Sequence, residues 1–168
     1  IIFISDHGYN LGEHDCWSKV SLWEGSVRVP MIISDPNAKS QYGKTCNDIT
    51  ELIDLYPTLT ELCGMEKKQP EILQGESLAY AIWGKKKKNP NQVAYTITSA
   101  KGASIRTDRW RYNRWGDEAN VVNEELYDHE KDPEEHFNLA DEPEYAAILK
   151  AMRIKLDAAR KKAATGLD

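Results

Sequence analysis

A carboxylate and an imidazole stand side by side near the start of the chain, where Asp6 and His7 directly follow the apolar residues 1–4. A carboxylate is a good ligand for a hard cation such as Ca²⁺ or Mg²⁺, and an imidazole is more typical of Zn²⁺ or another transition metal. Open α/β sheets bind their ligands beyond the carboxyl ends of strands, which is where this pair would lie. The pattern therefore predicts a divalent-cation site.

The same residues also allow a purely structural interpretation. In many Asp-His-Gly turns the Asp side chain accepts hydrogen bonds from nearby backbone amides and binds no metal. The pair alone does not decide between these two interpretations, and the surrounding sequence must do so.

Two apolar segments frame the loop that carries this pair, residues 1–5 and residues 29–34. A continuous run of β-branched and aromatic residues is typical of a strand buried on both faces, as in a parallel sheet covered by helices. The chain offers few other runs of this kind. We therefore expect the chain to begin within a domain whose remaining strands come from sequence that precedes Ile1.

A short helix is predicted after the second strand, over residues 55–64. Asp54 can cap its N-terminus, and Pro57 fits the first turn, where a backbone donor is not needed. Gly64 fits the left-handed position that ends many helices. A second short helix is expected over residues 78–83.

We divide the chain into residues 1–84, the C-terminal part of an α/β domain, and residues 85–168, a smaller α+β subdomain. The basic run at residues 85–88 marks the boundary and is interpreted as a solvated loop. Alternating residues over 93–98 and 103–115 predict antiparallel strands with one wet face.

The C-terminal region adds a short predicted strand at residues 125–128 and a helix over about residues 143–163. Apolar residues recur along that helix at helical spacing, which predicts a stripe that covers the antiparallel sheet. The stripe consists of Tyr145, Ile148, Leu149, Met152 and Leu156.

Composition excludes some classes of partner. The 22 basic residues against 27 acidic ones give a net charge of −5, which argues against non-specific nucleic-acid binding. No apolar run reaches the roughly 18 residues that a membrane helix needs. Neither nucleic acid nor membrane is an expected partner.

Residues 5–19 and the strand that follows Arg28 resemble the sulfatase family of the alkaline-phosphatase-like superfamily, in particular its iduronate-2-sulfatase and choline-sulfatase-like branch. Residues 5–14 match S-D-H-G-x-x-L-G-E-H, Lys19 lies five residues beyond the last His, and Arg-Val-Pro follows. Further motifs of the family occur in the right order. They are D-x-x-P-T-L at 54–59, G-x-S-L at 75–78, E-L-Y-D at 125–128, D-P-x-E at 132–135 and N-L-A at 138–140.

The resemblance implies a fold. The chain would be α/β, the C-terminal portion of an alkaline-phosphatase-like α/β/α sandwich, followed by a small antiparallel sheet covered by a C-terminal helix.

The resemblance also implies roles for four residues of the loop. Asp6 would be a direct metal ligand, usually for Ca²⁺ and less often for Mg²⁺ or Zn²⁺, and His7 would bind the cation or the sulfate. Lys19 would reach a sulfate oxygen and neutralise charge that develops there during catalysis. His14 would donate a hydrogen bond to the substrate or hold the loop in place.

The nucleophile of this family is a formylglycine made from Cys or Ser in C/S-x-P-x-R, and none of Cys16, Cys46 or Cys63 lies in that pattern. We expect it, with a pair of Asp ligands, upstream of Ile1. The complete protein would then hydrolyse a sulfate ester, and these 168 residues alone would be inactive. The alternatives are a phosphodiesterase or phosphonate monoester hydrolase of the same superfamily, and a non-catalytic C-terminal module.

The expected partners are a sulfated small molecule or sulfated sugar and the N-terminal half of the same domain. Sulfatases of this kind are mostly periplasmic, secreted or, in eukaryotes, lysosomal. The resemblance therefore implies a periplasmic or secreted location, or a lysosomal one for a eukaryotic source.

Overall fold

The structure, a computed structural model, describes residues 1–85, 93–99, 101–116 and 121–164. Most of the predicted basic loop at residues 85–88 lies outside these ranges, as do the last four residues. The first half of the chain contains two short strands and three short helices. They are β1 (Ile2–Ile4), α1 (Glu24–Val27), β2 (Met31–Ile33), α2 (Leu55–Leu62) and α3 (Ala79–Ile82).

The strands β1 and β2 form a two-stranded antiparallel sheet in which Phe3 lies opposite Ile32. The prediction of a parallel arrangement is therefore wrong for this pair, because an apolar run shows burial but not strand direction. The described residues also do not bury both faces of these two strands, since Phe3 and Ile32 are each 61% exposed. Apolar side chains exposed side by side on a small sheet are suited to cover by further strands or helices.

The helix α2 is tied to the turn before α3 by two buried side chains. The carboxylate of Asp54 accepts hydrogen bonds from the backbone N–H groups of Glu51 (2.9 Å) and Glu76 (2.8 Å). It does not cap α2, so that part of the prediction is wrong. The hydroxyl of Thr58 donates to the Asp54 carbonyl and accepts from the Leu78 N–H (2.8 Å). These contacts explain why Asp and Thr stand at these positions of D-x-x-P-T-L.

The C-terminal half contains a four-stranded antiparallel sheet in the order β3-β4-β5-β6. Its strands are β3 (Ala94–Ile97), β4 (Gly102–Arg106), β5 (Trp110–Gly116) and β6 (Val121–Asp128). The prediction of antiparallel strands is confirmed. The last strand begins four residues earlier than predicted, because it pairs with β5 along most of its length.

The final helix α4 (Ala146–Ala164) covers one face of this sheet. Leu149, Met152 and Leu156 of the predicted stripe are buried, and they pack in one core with apolar side chains of three strands. Those side chains are Ala103, Ile105, Tyr112 and Leu126. The predicted fold class, α/β with an antiparallel sheet covered by a C-terminal helix, is confirmed.

The opposite face of the sheet is polar and buried, so the prediction of a wet face is wrong. Arg111 and Asn113 of β5 are 2% and 0% exposed, and Glu125 of β6 is also buried. The segment that contains Leu22 and α1 covers this face. Gly102 leaves room for this packing, because a Cβ at that position would lie 2.6 Å from the Trp115 ring and 2.9 Å from the Leu22 side chain.

The turn after β6 is organised by Asp128, which is almost completely buried. The Arg109 guanidinium donates two hydrogen bonds to its carboxylate, at 2.8 and 2.7 Å. These bonds hold the pKa of Asp128 below its ordinary value. The last residue of E-L-Y-D therefore fixes the chain where β6 ends.

A helix that crosses a membrane must be both long and apolar. Within the described ranges, no helix is both long enough and apolar enough to cross a membrane.

We predict that Leu156→Ala lowers the free energy of unfolding by about 2–5 kcal/mol, because it leaves a cavity between α4 and the sheet. Ile154→Ala is the matched control on the same helix. Ile154 is exposed, so its truncation should change stability by less than about 0.5 kcal/mol. Urea denaturation measures both, and equal effects would contradict this packing.

We also predict that Asp128→Asn removes a pH-dependent part of the stability. A lowered folded-state pKa contributes stability above the unfolded pKa of about 3.9, and this is lost as pH falls through the folded pKa. The stability difference between wild type and variant should therefore be largest near pH 7 and shrink in strong acid. Thermal unfolding between pH 7 and pH 3 measures it, with exposed Asp141→Asn as the control. A constant difference would contradict the assignment.

Candidate active site

The Asp-His-Gly turn directly follows β1 and is held by local hydrogen bonds. The Ser5 hydroxyl donates to the His7 carbonyl (2.8 Å), and the His7 N–H donates to Asp6 Oδ1 (3.1 Å). One carboxylate oxygen of Asp6 therefore has a local structural partner. The Asp6 side chain is nonetheless 88% exposed, so its other oxygen can still receive a ligand.

The ring of His7 is oriented so that it can act together with Asp6. Its Nδ1 lies 2.8 Å from the Gly8 carbonyl, which can only accept, so Nδ1 carries the hydrogen. The lone pair is then on Nε2, which lies 3.8 Å from Asp6 Oδ2. A carbonyl that fixes the tautomer in this way is typical of metal-binding histidines. An oxygen and a nitrogen donor thus lie side by side, as a shared cation requires.

Gly8 allows the turn to approach α1 closely. Its N–H donates to the Ser26 carbonyl (2.8 Å), and a Cβ at this position would lie 2.0 Å from the Gly25 carbonyl oxygen. No side chain fits in this space. The Gly of the Asp-His-Gly motif is therefore a packing requirement.

The segment around Lys19 is held by Asn10, which is buried. The Asn10 N–H donates to the Ser18 carbonyl (2.9 Å), and its side-chain amide donates to the Ser21 hydroxyl (3.1 Å). These bonds hold the chain on both sides of Lys19. Lys19 is among the residues, with Asp6 and His7, that line one open cleft of about 1840 Å³.

His14 lies elsewhere on the loop. Its backbone is left-handed (φ 55°), and its ring stacks on Trp23 with a centroid distance of 4.3 Å. The ring of His136, from the C-terminal tail, is 6.1 Å away. Asp6, His7 and Lys19 thus line the same open cleft, whereas the ring of His14 packs against Trp23. The roles of all four residues stay predictions.

A cluster of charges connects α1 to the polar face of the sheet. The guanidinium of Arg111 pairs with the carboxylates of Glu24 and Glu135, and the His129 ring lies 2.7 Å from Glu135. We call these four residues the Arg111 cluster. Burial raises the pKa of Glu135, but the His129 hydrogen bond and the Arg111 charge outweigh it, and the pKa lies below its ordinary value.

The Arg111 cluster is an ion-pair network and not a metal site. Ligand atoms of Glu24, His129 and Glu135 lie within 4.8 Å of one another, close enough to surround a cation. However, Arg111 pairs with both carboxylates from within the group, and the guanidinium groups of Arg28 and Arg106 lie within ion-pair distance of Glu24. A cation bound there would face the guanidinium directly.

Sequence reasoning missed the Arg111 cluster. Glu24 and Glu135 are 111 residues apart, and their link is a hydrogen bond of 2.8 Å from the Glu24 N–H to the Glu135 carboxylate. The sequence showed only that Glu135 belongs to the D-P-x-E motif. It did not show which residue pairs with Glu135.

Comparison with known proteins assigns the chain to a family. Residues 12–162 match the family model described as the C-terminal part of N-sulphoglucosamine sulphohydrolase. The chain belongs to the sulfatase family. The predicted resemblance is thereby confirmed, and the match is to the C-terminal portion of these proteins.

Curated sulfatases are similar over most of the chain. A Δ4,5-hexuronate-2-O-sulfatase from Bacteroides thetaiotaomicron is 34% identical over 94% of this chain and 34% of its own length. A choline-sulfatase from Rhizobium meliloti is 34% identical over 85% of this chain and 27% of its own length. The chain therefore spans about a third of these sulfatases.

Solved structures agree on the fold. A 2-O GAG sulfatase superposes with a TM-score of 0.81 at 32% identity, over 96% of this chain and 36% of that protein. A phosphonate monoester hydrolase from Agrobacterium radiobacter superposes with a TM-score of 0.80 at 28% identity, over 97% and 35%. The fold is thus shared by sulfatases and by a hydrolase that acts on phosphorus.

We predict that Gly8→Ala destabilises the protein by about 1–3 kcal/mol, because the new methyl group would collide with backbone and not with a movable side chain. Ser5→Ala is the control in the same turn and should cost less than about 1 kcal/mol, since it removes one exposed hydrogen bond. Chemical denaturation of both variants measures the difference. Equal stabilities would mean that the turn and α1 are not in close contact.

Proposed function

We propose that the chain is the C-terminal portion of a sulfuric ester hydrolase, with Asp6 and His7 as metal ligands and Lys19 as a catalytic, sulfate-binding residue. The observation that carries this proposal is geometric. Asp6 Oδ2 and His7 Nε2 lie 3.8 Å apart at the end of a strand, and Lys19 lines the same open cleft as these two residues. These are the groups that a metal-assisted transfer of an anionic group needs.

Asp6 and His7 would hold the cation, for which we propose Ca²⁺ in keeping with the resemblance. The exposed Asp6 oxygen is a hard donor of the kind that Ca²⁺ prefers, and the adjacent Nε2 can bind the cation or a sulfate oxygen. When bound, a divalent cation supplies positive charge that polarises the ester. The local hydrogen bonds of Ser5 and Gly8 keep both donors on the same side of the turn.

Lys19 would act on the sulfate by charge. Its ammonium group can hydrogen-bond a sulfate oxygen and offset the negative charge that develops in the transition state. Asn10 and Ser18 hold its backbone in place, so little reorganisation is needed when substrate binds.

The remainder of the site would come from sequence upstream of Ile1. We propose that it includes the formylglycine nucleophile, since none of the three cysteines here lies in C/S-x-P-x-R. The exposed apolar side chains of β1 and β2, including Phe3 and Ile32, would pack against that part of the domain. Without it, the chain is expected to be inactive.

For the substrate we propose a sulfated sugar or a related sulfated small molecule. Two similar proteins carry such names, the hexuronate-2-O-sulfatase and the 2-O GAG sulfatase. A phosphonate monoester or phosphodiester is the second candidate, because the phosphonate monoester hydrolase superposes equally well. A non-catalytic module is the third, and it would need neither Asp6 nor Lys19.

The test uses the complete protein, assayed on an aryl sulfate and on an aryl phosphate diester. Lys19→Ala should lower kcat by about 10²–10³, as expected for loss of one charge-stabilising group. Asp6→Ala should lower both bound metal, measured by elemental analysis, and activity. Lys150→Ala, which changes an exposed lysine of α4 outside the cleft, should match wild type.

Each other outcome selects a different function. Faster turnover of the phosphate diester, with the same dependence on Asp6 and Lys19, would replace the sulfatase proposal with the phosphorus hydrolase. Unchanged metal content and activity in Asp6→Ala would remove the proposed metal site. Absence of turnover on both substrates, at full metal content, would favour the non-catalytic module.

A further inference from the structure

The Arg111 cluster lies at the junction between the loop that carries Asp6 and Lys19 and the C-terminal sheet. Arg111 is on β5, and its guanidinium also donates to the Ser104 hydroxyl of β4 (3.1 Å). On the other side it pairs with Glu24, the first residue of α1. One buried side chain therefore bonds two strands of the sheet to the loop segment.

The cluster also holds the backbone of α1. The Glu24 N–H donates to Glu135 Oε2 (2.8 Å), and Arg111 pairs with the other oxygen of the same carboxylate. Glu135 is 1% exposed and its backbone is left-handed, with φ at 62°. The start of α1 is thus bonded to the C-terminal subdomain through both the backbone and the side chain of Glu24.

A short chain of hydrogen bonds leads from α1 to the proposed ligands. The Ser26 carbonyl, within α1, accepts from the Gly8 N–H (2.8 Å), one residue beyond His7. Ser26 also donates from its hydroxyl to the Ser18 carbonyl (3.5 Å), one residue before Lys19. A displacement of α1 would therefore reach both sides of the site.

We propose that Arg111 is a positioning residue for the sulfatase reaction, acting through Glu24 and α1 to fix the separation between Lys19 and the Asp6-His7 pair. The inference rests on the proposed function, because the separation matters only if these residues act on one substrate. The C-terminal subdomain would thus set the geometry of a site to which it contributes no catalytic residue.

Stability alone does not account for a charged cluster at this junction. A buried ion pair is often no more stabilising than apolar side chains of the same volume, because removing the charges from water is costly. The ion pair nevertheless allows only a small range of positions for its two side chains, since a shift of either partner leaves a buried charge unpaired. A charged junction therefore restricts position more than it adds stability.

The chain offers a matched control on the same strand. Arg114 is also buried, but it lies on the opposite face of β5 and pairs with Asp157 of α4 (2.8 Å). Arg111→Met and Arg114→Met both remove a guanidinium from β5. The first leaves the carboxylates of Glu24 and Glu135 without this partner, and the second leaves Asp157, whose side chain is 54% exposed. Of the two, only the first removes a bond between the sheet and α1.

The experiment compares these variants in the complete protein, together with Arg111→Lys. We expect Arg111→Met to lower kcat by about tenfold to a hundredfold, as a small misplacement of catalytic groups does, with KM changed by less than about threefold. Arg111→Lys should recover part of the loss, since it restores one charge pair but not the guanidinium fork. Arg114→Met should keep kcat within about twofold of wild type.

Hydrogen exchange followed by mass spectrometry provides a readout that does not depend on activity. The peptide over residues 5–28 should exchange faster in Arg111→Met than in Arg114→Met, because the Gly8 and Asn10 amides lose their fixed acceptors. If Arg111→Met does not fold, Glu135→Gln replaces it, since it keeps the shape of the side chain and removes the charge.

Two results would overturn the inference. One is a kcat for Arg111→Met equal to that of Arg114→Met, and the other is equal exchange of residues 5–28 in both variants. Failure of the proposed function itself is distinguishable, because it is read from other measurements: retained activity in Lys19→Ala and Asp6→Ala, or faster turnover of the phosphate diester, whatever the Arg111 variants do.

Discussion

The charges buried between α1 and the C-terminal sheet constrain the rest of the structure. Arg111 and Glu135 are both almost completely removed from solvent, and each depends on the other and on Glu24 for its partner. Breaking such a group exposes an uncompensated charge to a low dielectric, which costs far more than losing an apolar contact. These charges therefore restrict the position of the loop that carries Asp6 and Lys19 against the sheet.

The two faces of the sheet accordingly serve different purposes. The face toward α4 carries the apolar core. Burial of Leu126, Tyr112 and Leu156 stabilises the fold, and this stabilisation changes little when the side chains move by a small distance. The face toward α1 is polar, with Arg111 and Glu125 in directional contacts that tolerate little displacement. Alternating polarity predicted that one face of the sheet is polar, but it could not distinguish a face that meets water from one that meets polar protein.

Local features were the most predictable from sequence. The position of the Asp-His-Gly turn after a strand, Pro57 in the first turn of α2 and Gly64 at its end (φ 67°) all follow from rules that act over a few residues. The strand direction of β1 and the junction through Arg111 depend on contacts between distant segments. Composition and spacing hold no information about which distant carboxylate Arg111 will meet, so these features required coordinates.

The proposed metal site also depends on contacts between distant segments. Asp6 and His7 offer two donors, whereas Ca²⁺ takes about six to eight oxygen ligands, so the remaining ligands must come from water, substrate and other protein segments. Metal affinity would then be a property of the assembled domain. A cation that binds only to the assembled domain stabilises that assembled state. The cation would therefore also help to hold the segment proposed to pack on β1 and β2 in place. On this view the apolar face around Phe3 and the charged turn at Asp6 are adjacent because both meet the same part of the protein.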